Sequence, residues 1–339
     1  MQREVLTKLS MFFLAVMLVS CQAGSYKKFS ELPESHIVFS DQQSILGVDW
    51  AYNDQLSMQA FQEGRWPIYI GDVSTGTLIP IYYEKHQVNA YQPRISPNGK
   101  WLAFSINPFE TTRGVKIVEL DQLVRDNYVL GDLESDIGLI EDYRIAWSPD
   151  SSQLALVGND EASVFVVYLY NVLEKSLIVE YKDTGIQSSN PYDSRVEYGV
   201  SWSSDGKKLA FSLEFEDDGA FQSDIYIYDF EQKQLLNISP TEDKSESYPS
   251  WLPDKNILSY VSTKNKTGYS TRYGELTFVT GDGLCTKSLP EFRGMSSPSW
   301  SPNGTELAYI SEDGVEIIKT SDLIPNEFLS ETGLCRKPE

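Results

Sequence analysis

An all-β fold is what the sequence predicts, and three observations predict it. One motif recurs six times at intervals of about 50 residues along a chain of 339. The chain holds 20 Tyr, 15 Phe and 7 Trp, residue types that sit well on a pleated surface. After the first twenty residues no apolar run is long enough for a membrane-crossing helix. The length and a hydrophobic fraction of 41% suffice for a sizeable core. A net charge of −21 repels phosphate backbones and anionic membrane surfaces, so no nucleic-acid partner is expected. Two histidines (His36 and His86) and three cysteines supply few ligands for a transition metal.

Taken in order, the chain opens with an address. Arg3 and Lys8 precede a short apolar core at 11–19 (MFFLAVMLV), which has the length and flanks of a secretory signal. It runs into Leu18-Val19-Ser20-Cys21, which resembles a bacterial lipobox, cut before the cysteine and acylated on it. Residues 1–20 are thus expected to be a lipoprotein signal peptide, and 21–35 a lipid anchor on Cys21 with a polar tether. Several acyl chains on one cysteine anchor stably where a single chain would not. Gln22 after the cysteine resembles the pattern sorted to the outer membrane of a Gram-negative cell, facing the periplasm. In another cell type the outer face of the cell membrane is expected.

Residues 36–325 carry the repeat. Its copies read RISPNGKWLAFS from Arg94, AWSPDSSQLALV from Ala146, SWSSDGKKLAFS from Ser201, SWLPDKNILSYV from Ser250 and SWSPNGTELAYI from Ser299. A sixth, DWAYNDQLSMQAF from Asp49, has a degraded turn. The anchors are Trp50, Ile95, Trp147, Trp202, Trp251 and Trp300. Each copy reads as four strands. One ends at the anchor, and Ser-Pro-Asn/Asp-Gly then turns tightly, Pro fixing φ and Gly or Asn taking the left-handed region. A second strand, a variable loop, a third strand such as Asp224-Ile-Tyr-Ile-Tyr-Asp229, a polar turn and a fourth strand follow. The third strand is apolar on both faces, as a sheet covered on both sides requires. Radially stacked four-stranded sheets meet that requirement, and the anchor Trp then packs between blades.

The pattern Trp-Ser-Pro-Asp-Gly-x-x-Leu-Ala-Phe followed by Ile-Tyr-x-x-Asp resembles the β-propeller repeats of the TolB family, which also occur in prolyl-oligopeptidase-type peptidases. The resemblance implies an all-β, six-bladed β-propeller of four-stranded antiparallel blades. Closure would use either His36–Ser40 or residues 324–329 as an outer strand. TolB carries a separate domain before its propeller, for which 21–35 leave no room. Residues 326–339 form a C-terminal tail. With Cys21 committed to lipid, Cys285 and Cys335 are an even pair in an exported chain and are expected to form a disulfide. Closing a loop of about 50 residues contributes roughly 4 kcal/mol in the chain-entropy model.

Catalytic motifs are absent from the sequence: no Gly-x-Ser-x-Gly elbow, Walker loop, dinucleotide fingerprint, His-Glu-x-x-His or Cys-x-x-Cys occurs. Oligogalacturonate lyases carry related repeats but hold a metal with histidines, which are scarce here. No enzyme activity and no cofactor are therefore expected. The long connections at 107–114, 159–163, 182–197, 214–223 and 262–274 fall on one rim of such a fold, which is where binding faces vary. Glu214, Glu216, Asp217 and Asp218 make one of them acidic and a weak calcium candidate, without the ligand spacing of a known calcium loop. Counting back from the anchors places Tyr91, Tyr143 and Tyr198 at one offset, with Tyr248 one place displaced and Arg94, Arg144 and Arg195 on or near the same strands. A channel mouth ringed by Tyr and Arg suits a peptide carboxylate or a sugar.

The sequence thus predicts a monomeric propeller that is held to the membrane by its lipid alone and binds another envelope protein or a peptide. TolB-like propellers are similar in being periplasmic and in engaging a peptidoglycan-associated lipoprotein. Two alternatives stand beside it: a carbohydrate- or small-ligand-binding propeller, and a glycan-active lyase or hydrolase with its site at the channel.

Overall fold

The computed structural model describes residues 36–40, 45–61, 66–83, 88–108, 114–126, 128–130, 135–138, 143–162, 164–187, 196–217, 220–264 and 274–323. All lie in one compact unit, Pro33–Glu339. The signal, Cys21 and the tail beyond 323 are outside the described residues.

The repeated turn explains the repeated strand. In the second repeat Ser96 donates from Oγ to Asn98 Oδ1 at 2.8 Å and accepts from the Trp101 amide at 2.9 Å, while Asn98 Oδ1 also accepts from Lys100 N. Gly99 closes the turn at φ +69°, a region that costs a side-chain-bearing residue about 1–2 kcal/mol. The same hydroxyl-to-carboxamide or carboxylate bond recurs at Ser148–Asp150, Ser203–Asp205 and Ser301–Asn303. At 252–255 Leu252 stands in place of the serine, and Asp254 takes the left-handed conformation instead.

Four blades are discrete antiparallel sheets of four strands. Each is ordered outward from its anchor strand: Ile45–Tyr52, Val88–Ile95, Arg144–Trp147 and Val196–Trp202 respectively. The expected six four-stranded blades are corrected here. The two remaining copies of the motif, anchored at Trp251 and Trp300, do not form separate blades but share one seven-stranded sheet. Its hinge is the 15-residue strand Thr286–Trp300. The first part of that strand pairs with Gly274–Thr280 and its end with Glu306–Ser311. The reason lies in the connection. Between Gln234–Asn237 and the anchor strand Lys244–Trp251 the residues 238–243 leave the sheet, whereas here the backbone stays extended throughout.

Closure uses the first of the two expected strands. His36–Ser40 pairs antiparallel with Gly314–Lys319, with His36 opposite Ile317 and Ser40 opposite Gly314. Hydroxyls reinforce the seam: Ser297 Oγ accepts from Val48 N at 3.1 Å, and Ser299 Oγ from Trp50 N at 2.8 Å. The core lies between sheets. Leu56, Met58 and Trp50 of the first blade pack with Phe39, Ala308, Ile310 and Ile317 of the seven-stranded sheet. Phe165 and Val167 of the third blade pack with Phe211 and Tyr228 of the fourth. The anchors behave as inter-blade packing: Trp50, Trp147, Trp251 and Trp300 are buried. Trp147 Nε1 donates to Arg94 O at 2.9 Å and Trp202 Nε1 to Ala146 O at 3.1 Å, each reaching the preceding blade.

Two features were not expected. A short helix, Leu120–Arg125, follows the third strand of the second blade and tucks Leu120 and Leu123 into the core beside Ile68 and Ile70. The acidic stretch expected to be a loop is largely a hairpin: Lys208–Asp217 pairs with Ala220–Asp229 out to Asp217 opposite Ala220. Likewise Lys182 lies within the strand Ser176–Gln187.

Candidate functional site

The anchor strands bound a central channel, and five of the six are bulged before the anchor. Register shifts fall between Ile45 and Gly47, Tyr91 and Arg94, Val196 and Val200, Ser247 and Ser250, and Ser296 and Ser299. Three places before the anchor, Gln92, Gly199, Tyr248 and Ser297 all have positive φ. In three of those strands a proline follows (Pro93, Pro249, Pro298), which removes a ladder donor where pairing is already broken. Bulges of this kind re-aim side chains and cluster near binding sites.

Two cavities occupy the channel. One of about 560 Å³ lies toward the starts of the anchor strands and is lined by Trp66, Tyr91, Gln92, Arg94, Arg144 and Tyr248, among others. The other, of about 250 Å³, lies toward the Ser-Pro turns and meets Pro97, Pro149, Pro253 and Pro302. Asp49, Arg94, Ser201, Ser250 and Ser299 border both cavities, and each stands one place before its anchor. The polar groups at the waist of the channel are therefore one carboxyl, one guanidinium and three hydroxyls, with Val200 beside them.

The charged pair at the waist is loose. Arg94 Nη1 stands 3.8 Å from Asp49 Oδ1, beyond hydrogen-bond distance. Arg94 is held from behind, its Nε donating to Ile145 O and Nη1 to Pro93 O, both at 3.3 Å. Burial pushes the Asp49 carboxyl above the usual carboxylate range, and the Arg94 charge pulls it partly back.

The expected site residues divide. Tyr91, Arg94, Tyr143, Arg144 and Tyr248 all border the larger cavity. Tyr143 is buried and spends its hydroxyl on Asn159 O at 2.6 Å, a bond within its own blade. Arg195 is outside the described residues, and Tyr198 lies in the strand Val196–Trp202 with its side chain outside them. Of the acidic residues, Glu214 faces Ser223 and Glu216 faces Phe221 across the hairpin, and Asp218 is outside the described residues. Among the described residues no group of three or more His, Cys, Asp or Glu is placed to hold a metal ion. Cys285 is disulfide-bonded, and Cys335 lies outside the described residues.

Sequence reasoning missed Asp49, Gln92 and Trp66. Asp49 belongs to the copy with the degraded turn, although its place before the anchor matches Arg94. Trp66 lies outside the motif, and its ring meets that of Tyr91 at 5.6 Å to form an aromatic wall.

The fold is that of a TolB-like β-propeller. No protein-family model matches the chain. It is 26% identical over 147 residues to dipeptidyl-peptidase 5 of Porphyromonas gingivalis, covering 42% of this chain and 20% of that protein. It is 32% identical over 118 residues to the Tol-Pal system protein TolB of Ruthia magnifica subsp. Calyptogena magnifica, covering 34% of this chain and 23% of that protein. The chain thus matches about a fifth of the length of each relative. In structure it is similar to a TolB of Agrobacterium tumefaciens, with a TM-score of 0.59 and 13% identity, covering 84% of this chain and 93% of that one. No helix among the described residues is long and apolar enough to cross a membrane.

Proposed function

We propose that the chain is a lipoprotein of the bacterial envelope, anchored through Cys21, that binds another envelope protein or a peptide and has no catalytic role of its own. The observation that carries the reading is the channel mouth. A cavity of about 560 Å³ opens where the bulged strands begin and is bordered by Tyr91, Arg144 and Tyr248 on a rigid sheet framework. The similarity to a Tol-Pal system protein supports a protein partner in the envelope.

The test is crosslinking in cells from a photoreactive residue at Tyr248, followed by capture of the tethered protein. One stoichiometric envelope partner, lost in Arg144→Ala at unchanged protein level, supports the reading. Capture that Arg144→Ala leaves unaltered, or no crosslink at all, removes it. For the anchor, Cys21→Ala is expected to move the protein from the membrane fraction to the soluble one. Continued sedimentation with membranes would refute lipidation.

A further inference from the structure

The waist of the channel offers more than a mouth for a protein. Asp49 accepts no hydrogen bond from any described residue, and a quarter of its side-chain surface is exposed, where it borders both cavities. Arg94 is fixed in place by two carbonyls, yet neither bond uses its Nη2. A guanidinium and a carboxyl group thus stand side by side at 3.8 Å, each with unused capacity, at the edge of the cavity. Gln92 borders the same space, and its buried Oε1 has no hydrogen-bond partner.

A ligand carrying a single charge suits such a pair poorly. An anion on Arg94 would face the Asp49 carboxylate, and a cation on Asp49 would face the guanidinium. In a confined site of low dielectric, either arrangement leaves a repulsion comparable to the attraction gained. A ligand that brings both charges on neighbouring atoms satisfies both partners at once. The α-amino acid is the compact chemical class with that property, its carboxylate and ammonium lying one carbon apart. About 560 Å³ leaves room for its side chain against the tilted Trp66–Tyr91 wall and the prolines of the bulges.

We infer that the channel waist is a binding site for an α-amino-acid zwitterion, with Arg94 receiving the carboxylate and Asp49 the ammonium group. The site shares its cavity with the mouth at which a partner is proposed, lies at the waist beneath it, and does not require that partner.

The experiment is titration calorimetry of the folded protein with L-alanine and D-alanine, with N-acetylalanine and alaninamide as probes that each lack one charge. Saturable binding of an alanine that weakens by about ten-fold or more when either charge is capped is the expected result. The same loss is expected in Asp49→Asn and in Arg94→Lys, which keeps a charge but lacks the fork. Absence of saturable heat with both alanines overturns the inference. So does equal binding of either capped probe, or alanine binding unchanged in both folded variants. The capped probes act on the unaltered protein, so a variant that fails to fold does not shield the inference from refutation.

Discussion

Glu246 is the residue at which the fold holds a proton against its ordinary chemistry. It is buried at 1% exposure, accepts a hydrogen bond from Ser262 Oγ at 3.1 Å and meets Thr241 Oγ1 at 3.2 Å. Burial first, and then the nearby Asp224 carboxylate, push its carboxyl up to about 8. Tyr260, facing the same pair, is raised for the same causes, and Lys244 opposes them weakly. The unfolded chain releases this proton near the ordinary carboxylate range, while the folded chain keeps it until about pH 8. Stability must therefore fall as pH rises between those two values, by an amount on the order of 3–5 kcal/mol in all. Glu246→Gln, which mimics the protonated acid, is expected to remove that decline. Denaturation midpoints measured at pH 5, 7 and 9 check it, and equal slopes in the two proteins would contradict the assignment. Nothing in the sequence around Glu246 marked this site, because the second carboxylate arrives from the neighbouring blade. The same holds for Asp49 and Arg94, whose pairing needs two anchor strands side by side. Tyr91, Arg144 and Tyr248 were legible because their offset from the anchor is a local quantity.

At the level of the element, the turns and the closing strand carry the load in different ways. Gly99 and Gly206 hold equivalent places with φ near +70°. A Cβ on Gly99 would come 2.4 Å from the Tyr52 ring, whereas on Gly206 its nearest neighbour is Pro149 at 3.9 Å. Gly206→Ala is thus expected to cost only the left-handed penalty of about 1–2 kcal/mol. Gly99→Ala should cost clearly more, since Tyr52 packs on the core cluster of the first two blades. Urea midpoints of the two variants compare them directly. Phe39 of the closing strand is buried, packed with Trp50, Met58 and Ile317. Phe39→Ala is expected to lose about 3–5 kcal/mol. Faster proteolysis of the N-terminal strand would report it, and an unchanged digestion rate would mean that the strand adds nothing. The turns were legible in the sequence because Ser-Pro-Asn-Gly has one dominant local geometry. The merging of the last two repeats was not. It depends on a connection staying extended across 286–300, and nothing local separates such a segment from a strand, a loop and a second strand.

For the molecule as a whole, the repeat sets the architecture and the exceptions set its properties. Four independent blades and one seven-stranded sheet stack into a ring in which each apolar face is covered by a neighbour. The disulfide at Cys285 is expected to stabilise the molecule by about 2–4 kcal/mol. Thermal midpoints with and without a reductant measure that contribution, and mass mapping of the oxidised protein tests whether Cys335 is the partner. A midpoint indifferent to reductant would mean that the bond is a passive one.

The closing strand also sets a clock. His36 pairs with Ile317, so the first strand of the described chain finds its place only when one of the last has formed. Contacts this distant in sequence are slow to form, because the entropy of closing so large a loop is lost before the pairing returns anything. During folding, Gly314–Lys319 therefore waits as an open sheet edge, and an open edge is a template for another chain. Another molecule's copy of His36–Ser40 fits it as well as the chain's own. High concentration during refolding thus favours exchange of that strand between copies, and the ring's last step doubles as its point of misassembly.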